Sequence, residues 1–237
     1  MFLLYESIKE LLFPAYCLEC ECRLPCWELP LFCPDCLVEL SFIGSPQCKT
    51  CGLPFECGED HICGKCLTKP YAFDQARAAF HYRKPTISTI SSLKFNGHLT
   101  GVSSLANLAS TSSGYRDLSK PDLILPVPLH KKRLRTRGFN QATILAKACF
   151  PEMKSRINTS LLMRNRPTPP QTNLSGRERR KNLSGVFTVN QPEAVKDQHI
   201  LLVDDVLTTG STVDECAKVL RKAGAKRIEV FTLARAT

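Results

Sequence analysis

The sequence predicts an α/β protein: a parallel β-sheet flanked by helices, preceded by a small cysteine-rich metal-binding module. Three observations carry this. From residue 71 onward, short apolar runs alternate with stretches of helical periodicity. Eleven of the thirteen cysteines crowd between Cys17 and Cys66. The net charge of +10 is split: residues 1–70 hold five Lys/Arg against ten Asp/Glu (−5), and residues 71–237 hold 27 against 12 (+15). An acidic cysteine-rich module over 1–70 and a basic domain over 71–237 are expected, with the boundary near Lys69-Pro70.

The chain starts with an apolar stretch that carries Glu6 and Glu10 and lacks a basic leader region. A short amphipathic helix (Leu3, Leu4, Ile8, Leu11, Leu12) is expected there, not a signal peptide. No run of eighteen apolar residues occurs, so no spanning helix and no membrane insertion are expected. Cysteines confined to one segment without a signal sequence favour a reducing cytoplasm and metal ligation over disulfides.

The cysteines fall in pairs two residues apart. Cys17-x2-Cys20 is followed after twelve residues by Cys33-x2-Cys36, and Cys48-x2-Cys51 after eleven by Cys63-x2-Cys66. A CxxC turn presents two thiolates to one ion, and two turns complete a tetrahedral sulfur shell. Sequential pairing of the turns is expected; interleaved pairing also satisfies the spacing. Cys22, Cys26 and Cys57 have no partner in the pattern; one of them, or His61, could substitute as a ligand. The expected ions are two structural Zn2+, because an all-thiolate shell leaves no open position for water. With few large apolar residues in the head, metal binding supplies much of its folding free energy. The competing reading is eight buried, inert thiols.

In the body, Phe73–Tyr82 reads as a strand. Lys84–Lys94 and Leu99–Ser110 read as helices from Ile87, Ile90, Leu93 and from Val102, Leu105, Leu108. The strand starting at Asp122 ends at Pro126 and Pro128. Asn140–Phe150 reads as a helix, and the polar, basic residues 151–185 as a long loop. Ile200–Val203 reads as a central parallel strand. Thr212–Ala223 reads as a helix stopped by Gly224, and Arg227–Leu233 as a last strand. Strand–helix–strand order implies right-handed parallel crossovers.

The most informative stretch joins that central strand to the helix: Ile200-Leu-Leu-Val-Asp-Asp-Val-Leu-Thr-Thr-Gly-Ser-Thr212. Ligands of parallel sheets bind where strands end. Free N–H groups of the turn and the positive end of the helix form an anion site. The hydroxyls of Thr208, Thr209, Ser211 and Thr212 add donors, and Gly210 permits close backbone approach. Asp204 and Asp205 repel phosphate, so their expected task is to accept from sugar hydroxyls or to hold hydrated Mg2+. Together these parts describe a site for a 5-phosphorylated ribose. The plain alternative is a strand–turn–helix with ordinary Thr and Ser caps.

This stretch resembles the phosphoribosyl pyrophosphate (PRPP) signature of type I phosphoribosyltransferases, and the whole chain is similar to the ComF/GntX (ComFC) family. Pro126-Val-Pro-Leu-His130, Arg133 and Arg137-Gly-Phe-Asn-Gln-Ala142 resemble a second family block. Arg164–Phe187, with Arg166, Thr168, Gln171, Leu174, Arg177, Arg180 and Asn182, resembles a third, and Lys94-Phe95 matches a smaller patch. The resemblance implies a phosphoribosyltransferase-like sheet behind a cysteine zinc module, and a place in DNA uptake during natural transformation. It implies that Asp204 and Asp205 bind ribose hydroxyls, that Val206 to Thr212 form the PRPP loop, and that the loop after Pro126 meets pyrophosphate with Mg2+. Arg133, Arg137, Arg164 and Arg166 are candidates to stabilise the leaving pyrophosphate, with 164–182 as a lid. Asp204, Asp205 and Arg137 are the candidate catalytic set. Hypoxanthine-type transferases carry an aspartate where Thr208 stands, so purine salvage is not implied, and no acceptor is identified.

Two functions follow as expectations. One is a PRPP-binding transferase-like enzyme that displaces pyrophosphate with Mg2+ assistance. The other is a non-catalytic zinc protein of DNA import that binds single-stranded DNA through residues 130–182, which hold fourteen basic and two acidic residues. Few aromatics lie there to stack on bases, so sequence-specific reading is not expected. A zinc-dependent redox or scaffold role for the head, or docking on a DNA-import helicase, is a third expectation. His81, His98, His130 and His199 read as structural.

Overall fold

The computed structural model describes residues 14–26, 28–96, 99–167 and 185–237. The expected N-terminal helix, His98, and the Thr168–Asn182 part of the lid lie outside the described residues, as do the side chains of Lys94 and Phe95. The elements run α1 (Pro34–Glu39), α2 (Gly64–Thr68), β1 (Gln75–His81), α3 (Thr86–Asn96), α4 (Leu99–Ala109), α5 (Ser113–Arg116), β2 (Leu123–Pro126), α6 (Lys131–Arg137), α7 (Gln141–Cys149), β3 (Leu162–Arg164), β4 (Phe187–Val189), β5 (His199–Leu207), α8 (Ser211–Lys222) and β6 (Arg227–Arg235).

Four strands form a parallel sheet in the order β1-β6-β5-β2. The inner strands β5 and β6 are buried along nearly their whole length, which is why Ile200–Val203 of β5 reads as an apolar run. One face carries α3, α4 and α7, which pack Leu93, Leu105 and Leu145 against Leu201, Val203 and Phe231. The other carries α8, whose Val213, Cys216, Ala217 and Leu220 recur at helical spacing against Ile200, Leu202 and Val230. Fully burying each such aliphatic side chain stabilises the fold by about 1.5–3 kcal/mol. Gly224, at φ +90°, ends α8 in the left-handed conformation that a C-terminal glycine supplies.

The structure corrects two expectations. Residues 151–185 are not one loop: a 3-10 turn (Pro151–Arg156) leads to β3, which pairs antiparallel with β4. The central strand also does not end at Val203. It continues through Asp204 and Asp205 to Leu207, in register with β6.

The head covers the open edge of β1. Ala76 N–H donates to the Thr50 carbonyl at 2.7 Å, Ile43 N–H to Ala79 at 2.9 Å, and His81 N–H to Ser41 at 2.9 Å. These bonds occupy an edge that would otherwise invite another chain. Phe32, Leu40, Cys17, Cys33 and Cys36 join the main core beside α4. Arg77, 6% exposed, binds Asp117 at 3.0 Å and also reaches the Lys49 carbonyl at 3.2 Å.

Candidate sugar-phosphate site and cysteine clusters

The signature turn lies at the carboxyl edge of the sheet, between β5 and α8. Gly210 adopts φ +75°, and a Cβ there would stand 3.0 Å from the Tyr71 ring. Both the backbone and the neighbour therefore require glycine. Thr209 and Ser211 share a hydroxyl hydrogen bond of 2.8 Å, and Ser211 N–H donates to Thr209 Oγ1 at 3.4 Å. Thr208 is exposed, Thr212 half-buried and Ser211 buried. The first N–H groups of α8 have no intrahelical acceptor and face this bend. Val206 and Leu207 belong to β5, and Leu207 packs in the core.

The adjacent aspartates face opposite sides of the strand, as a pleat requires. Asp205, 7% exposed, accepts from Gln141 Nε2 on α7 at 3.4 Å. Asp204 faces Arg164 and Cys216, each of which feels its charge. Each carboxylate also accepts from the next backbone N–H, Asp205 N at 2.9 Å and Val206 N at 2.7 Å. These bonds fix the carboxylate planes.

Three of the four predicted arginines gather here. Arg137 Nη1 donates to Gln141 Oε1 at 2.6 Å, so Gln141 bridges Arg137 and Asp205. Burial lowers the Arg137 pKa, and nearby Asp205 opposes this. Arg164, 9% exposed, stacks over Phe187 at 5.5 Å. Burial and then the charge of Arg133 lower its pKa. The cations thus sit close enough to repel each other, an arrangement that an anion between them relieves. Arg166 is exposed beyond β3.

Sequence reasoning assigned no role to Gln141 or Asn140. Asn140 caps α7 by accepting from Ala142 N–H at 3.1 Å, and its amide donates to the Val127 carbonyl at 3.0 Å, pinning the loop after β2. The Asn-Gln pair opening a helix was the available signal. Two of the histidines have structural neighbours: His130 Nδ1 caps α6 through Lys132 N–H, and His199 contacts buried Glu229 at 3.0 Å.

The eight paired cysteines gather into two groups, Cys17/Cys20/Cys33/Cys36 and Cys48/Cys51/Cys63/Cys66, each with its sulfurs within 4.8 Å of one another. No cysteine forms a disulfide. Sulfur separations of 3.6 Å (Cys20–Cys33) and 3.8 Å (Cys48–Cys66, Cys51–Cys63) match the edge of about 3.8 Å that a tetrahedron with Zn–S bonds of about 2.3 Å requires. In each group the second CxxC opens a short helix, α1 or α2. Burial of Cys48 opposes its thiolate, but N–H donors from Cys51 and Cys63 outweigh it, lowering the pKa to about 6. Two sets of four sulfurs, seven of the eight buried, fit zinc. Cys22, Cys26 and Cys57 fall outside both groups.

Residues 153–237 match the phosphoribosyl transferase domain model, and residues 8–67 match the double zinc ribbon domain model. Site and sheet therefore define a phosphoribosyltransferase-like protein with an N-terminal zinc ribbon. Among relatives, competence protein F of Haemophilus influenzae is 32% identical over 93% of this chain and 96% of its own. DNA utilization protein YhgH of Escherichia coli O6:H1 is 36% identical over 79% of this chain and 83% of its own. Competence protein ComFC of Bacillus subtilis is 29% identical over 86% of this chain and 83% of its own. The chain belongs to the ComF/GntX (ComFC) family. Among solved structures, an allosteric regulatory enzyme of purine biosynthesis aligns with 56% of this chain and 26% of its own, at 19% identity and a TM-score of 0.34.

Proposed function

We propose that the chain is a cytoplasmic PRPP-binding protein of the ComF type that acts in DNA uptake. The observation that carries this is the convergence, at the carboxyl edge of β5, of a glycine-bearing hydroxyl turn, two oriented aspartates and the Arg133–Arg137–Arg164 group. The turn takes the 5-phosphate on its N–H groups and hydroxyls. Asp204 and Asp205 present oxygens to the ribose hydroxyls. Arg137 and Arg164, with Arg133 and Arg166 around them, lie where a departing pyrophosphate gathers charge. Bound with pyrophosphate, Mg2+ supplies further charge neutralisation. Those contacts support displacement of pyrophosphate from the ribose. The two cysteine groups hold one structural zinc each. Titration calorimetry of the zinc-loaded chain with PRPP and Mg2+ tests the reading: saturable heat is expected, and no heat at millimolar PRPP overturns it.

A second reading has its own observation. On α6, Lys131, Lys132 and Arg135 are exposed, while Arg133 and Arg137 are half-buried toward the site. The outward cations suit a single-stranded DNA backbone, a weak and salt-sensitive contact. A DNA-import helicase is a further candidate partner for the acidic head. Gel-shift titration with single-stranded DNA from low to moderate salt is expected to show steeply falling affinity; salt-independent binding, or none, sinks this reading.

A further inference from the structure

The outer side of the signature turn is held by Lys65 of the cysteine-rich head and by Tyr71, which packs against the second cysteine cluster. The Thr209 carbonyl accepts two hydrogen bonds, from the Tyr71 hydroxyl at 2.9 Å and from Lys65 Nζ at 3.2 Å. Lys65 lies in α2, between Cys63 and Cys66 of the second cluster. Its ammonium sits 5.4 Å over the Tyr71 ring, and that ring stacks on Phe73 at 4.6 Å. The cleft among Lys65, Tyr71, Thr209 and Ser211 holds about 20 Å³. That is room for about one water, so these side chains serve the turn and not a separate ligand. A further tie reaches β6, the strand paired with the one that feeds the turn. Arg235 Nη2 donates to Cys51 Sγ at 3.5 Å, and Arg235 is the register partner of Leu207. The segment that carries this cluster therefore reaches the apex of the turn through Lys65, and the cluster touches the neighbouring strand β6 level with Leu207.

The direction of the Thr209 carbonyl has a chemical consequence. In a trans peptide, C=O and the following N–H point opposite ways. Drawing the Thr209 carbonyl toward the head turns the Gly210 N–H toward the far side of the bend.

We propose that the second cysteine cluster braces the phosphate turn, with Lys65 and Tyr71 as positioning residues that aim the Gly210 N–H at the ligand phosphate. This rests on the reading that the turn binds a sugar phosphate. Because such coupling is reciprocal, occupancy of the turn also tightens the cluster.

The test uses the full-length, zinc-loaded chain. Tyr71→Phe keeps the ring stack and removes the hydroxyl; its PRPP affinity falls about fivefold, the scale of one lost hydrogen bond. Tyr71→Phe with Lys65→Met falls further, and Lys65→Arg retains most of the wild-type affinity, while zinc content stays unchanged. In the wild type, saturating PRPP slows maleimide alkylation of Cys51 and Cys66 and leaves Cys17 and Cys36 unaffected, as read by mass spectrometry. Unchanged affinity in the double variant, or PRPP-independent alkylation of Cys51 and Cys66, overturns the brace. If the wild type gives no PRPP heat, the sugar-phosphate reading fails, and amide exchange then judges the brace. Faster exchange at Gly210 to Val213 in Tyr71→Phe upholds it, and unchanged exchange overturns it. Should the double variant lose zinc, Tyr71→Phe alone decides.

Discussion

Gln141 and Asp205 are joined across the helix–strand interface, the amide of α7 donating to the carboxylate of β5 at 3.4 Å. Both residues are 7% exposed. The other end of the Gln141 amide holds Arg137, so one side chain sets a candidate sugar-binding acid and a candidate pyrophosphate-binding cation at once. Replacing it takes one donor away from a buried carboxylate, which costs about 1–3 kcal/mol. Gln141→Met, which conserves volume, is expected to lower unfolding free energy by that amount in a denaturant titration. It is also expected to weaken PRPP binding at least fivefold by calorimetry. A variant as stable and as tight as the wild type removes Gln141 from the site.

The aspartates and the outward cations of α6 separate the two functional readings. Asp204→Asn with Asp205→Asn keeps size and removes two negative charges near Arg137 and Arg164. PRPP heat is expected to vanish in this variant. Affinity for single-stranded DNA is expected to stay level or rise, since two repelling charges are gone. Lys131→Ala with Lys132→Ala and Arg135→Ala should reverse the pattern, leaving PRPP binding intact and flattening the salt slope of DNA binding by about two to three. Loss of both ligands in either folded variant means that one surface serves both.

Zinc content tests the clusters directly. Two sulfur groups of four predict two zinc ions per chain by atomic absorption. Cys66→Ser is expected to lower that number toward one and to loosen β1, which the second cluster's segment holds through the Thr50 and Lys49 carbonyls. Cys22→Ser, Cys26→Ser and Cys57→Ser together are expected to leave it unchanged. A triple variant that loses an ion would move one of those thiols into a ligand shell.

Much of this was legible because periodicity and spacing are local. β5 announces itself by the apolar run Ile200–Val203, α8 by Val213, Ala217 and Leu220, and the metal groups by four CxxC turns. What the chain hides is set by contacts between distant segments. Leu162–Arg164 is too short to read as a strand until it meets Phe187–Val189. The α6 sequence Lys-Lys-Arg-Leu-Arg-Thr-Arg has a single apolar residue, Leu134, and no buried face to reveal a period. Gln141 is an unremarkable amide at a helix start, and only the packing of α7 on β5 brings it to Asp205. The support of the turn by Tyr71 and Lys65 bridges well over a hundred positions of sequence, which no local pattern records.

The two cysteines outside the head give a last contrast. Cys149 in α7 and Cys216 in α8 are buried at 1% and 0% exposure. Burial pushes the Cys149 thiol up to about 12 and raises Cys216 well above the usual thiol range, with Asp204 adding to the effect on Cys216. The thiolate is the nucleophile, so both stay neutral and inert across physiological pH. In the folded chain, maleimide is expected to label the exposed Cys57 within minutes at pH 7.5 and to leave Cys149 and Cys216 unlabelled, even when the pH is raised toward 9. Raising the pH increases the thiolate fraction only as it nears the pKa, and burial holds that of Cys149 at about 12. Labelling of Cys216 in the folded protein would require α8 to leave β5, so it also reports opening of the turn that precedes that helix. Parallel labelling of Cys149 and Cys216 without denaturant would mean that neither helix is packed as described.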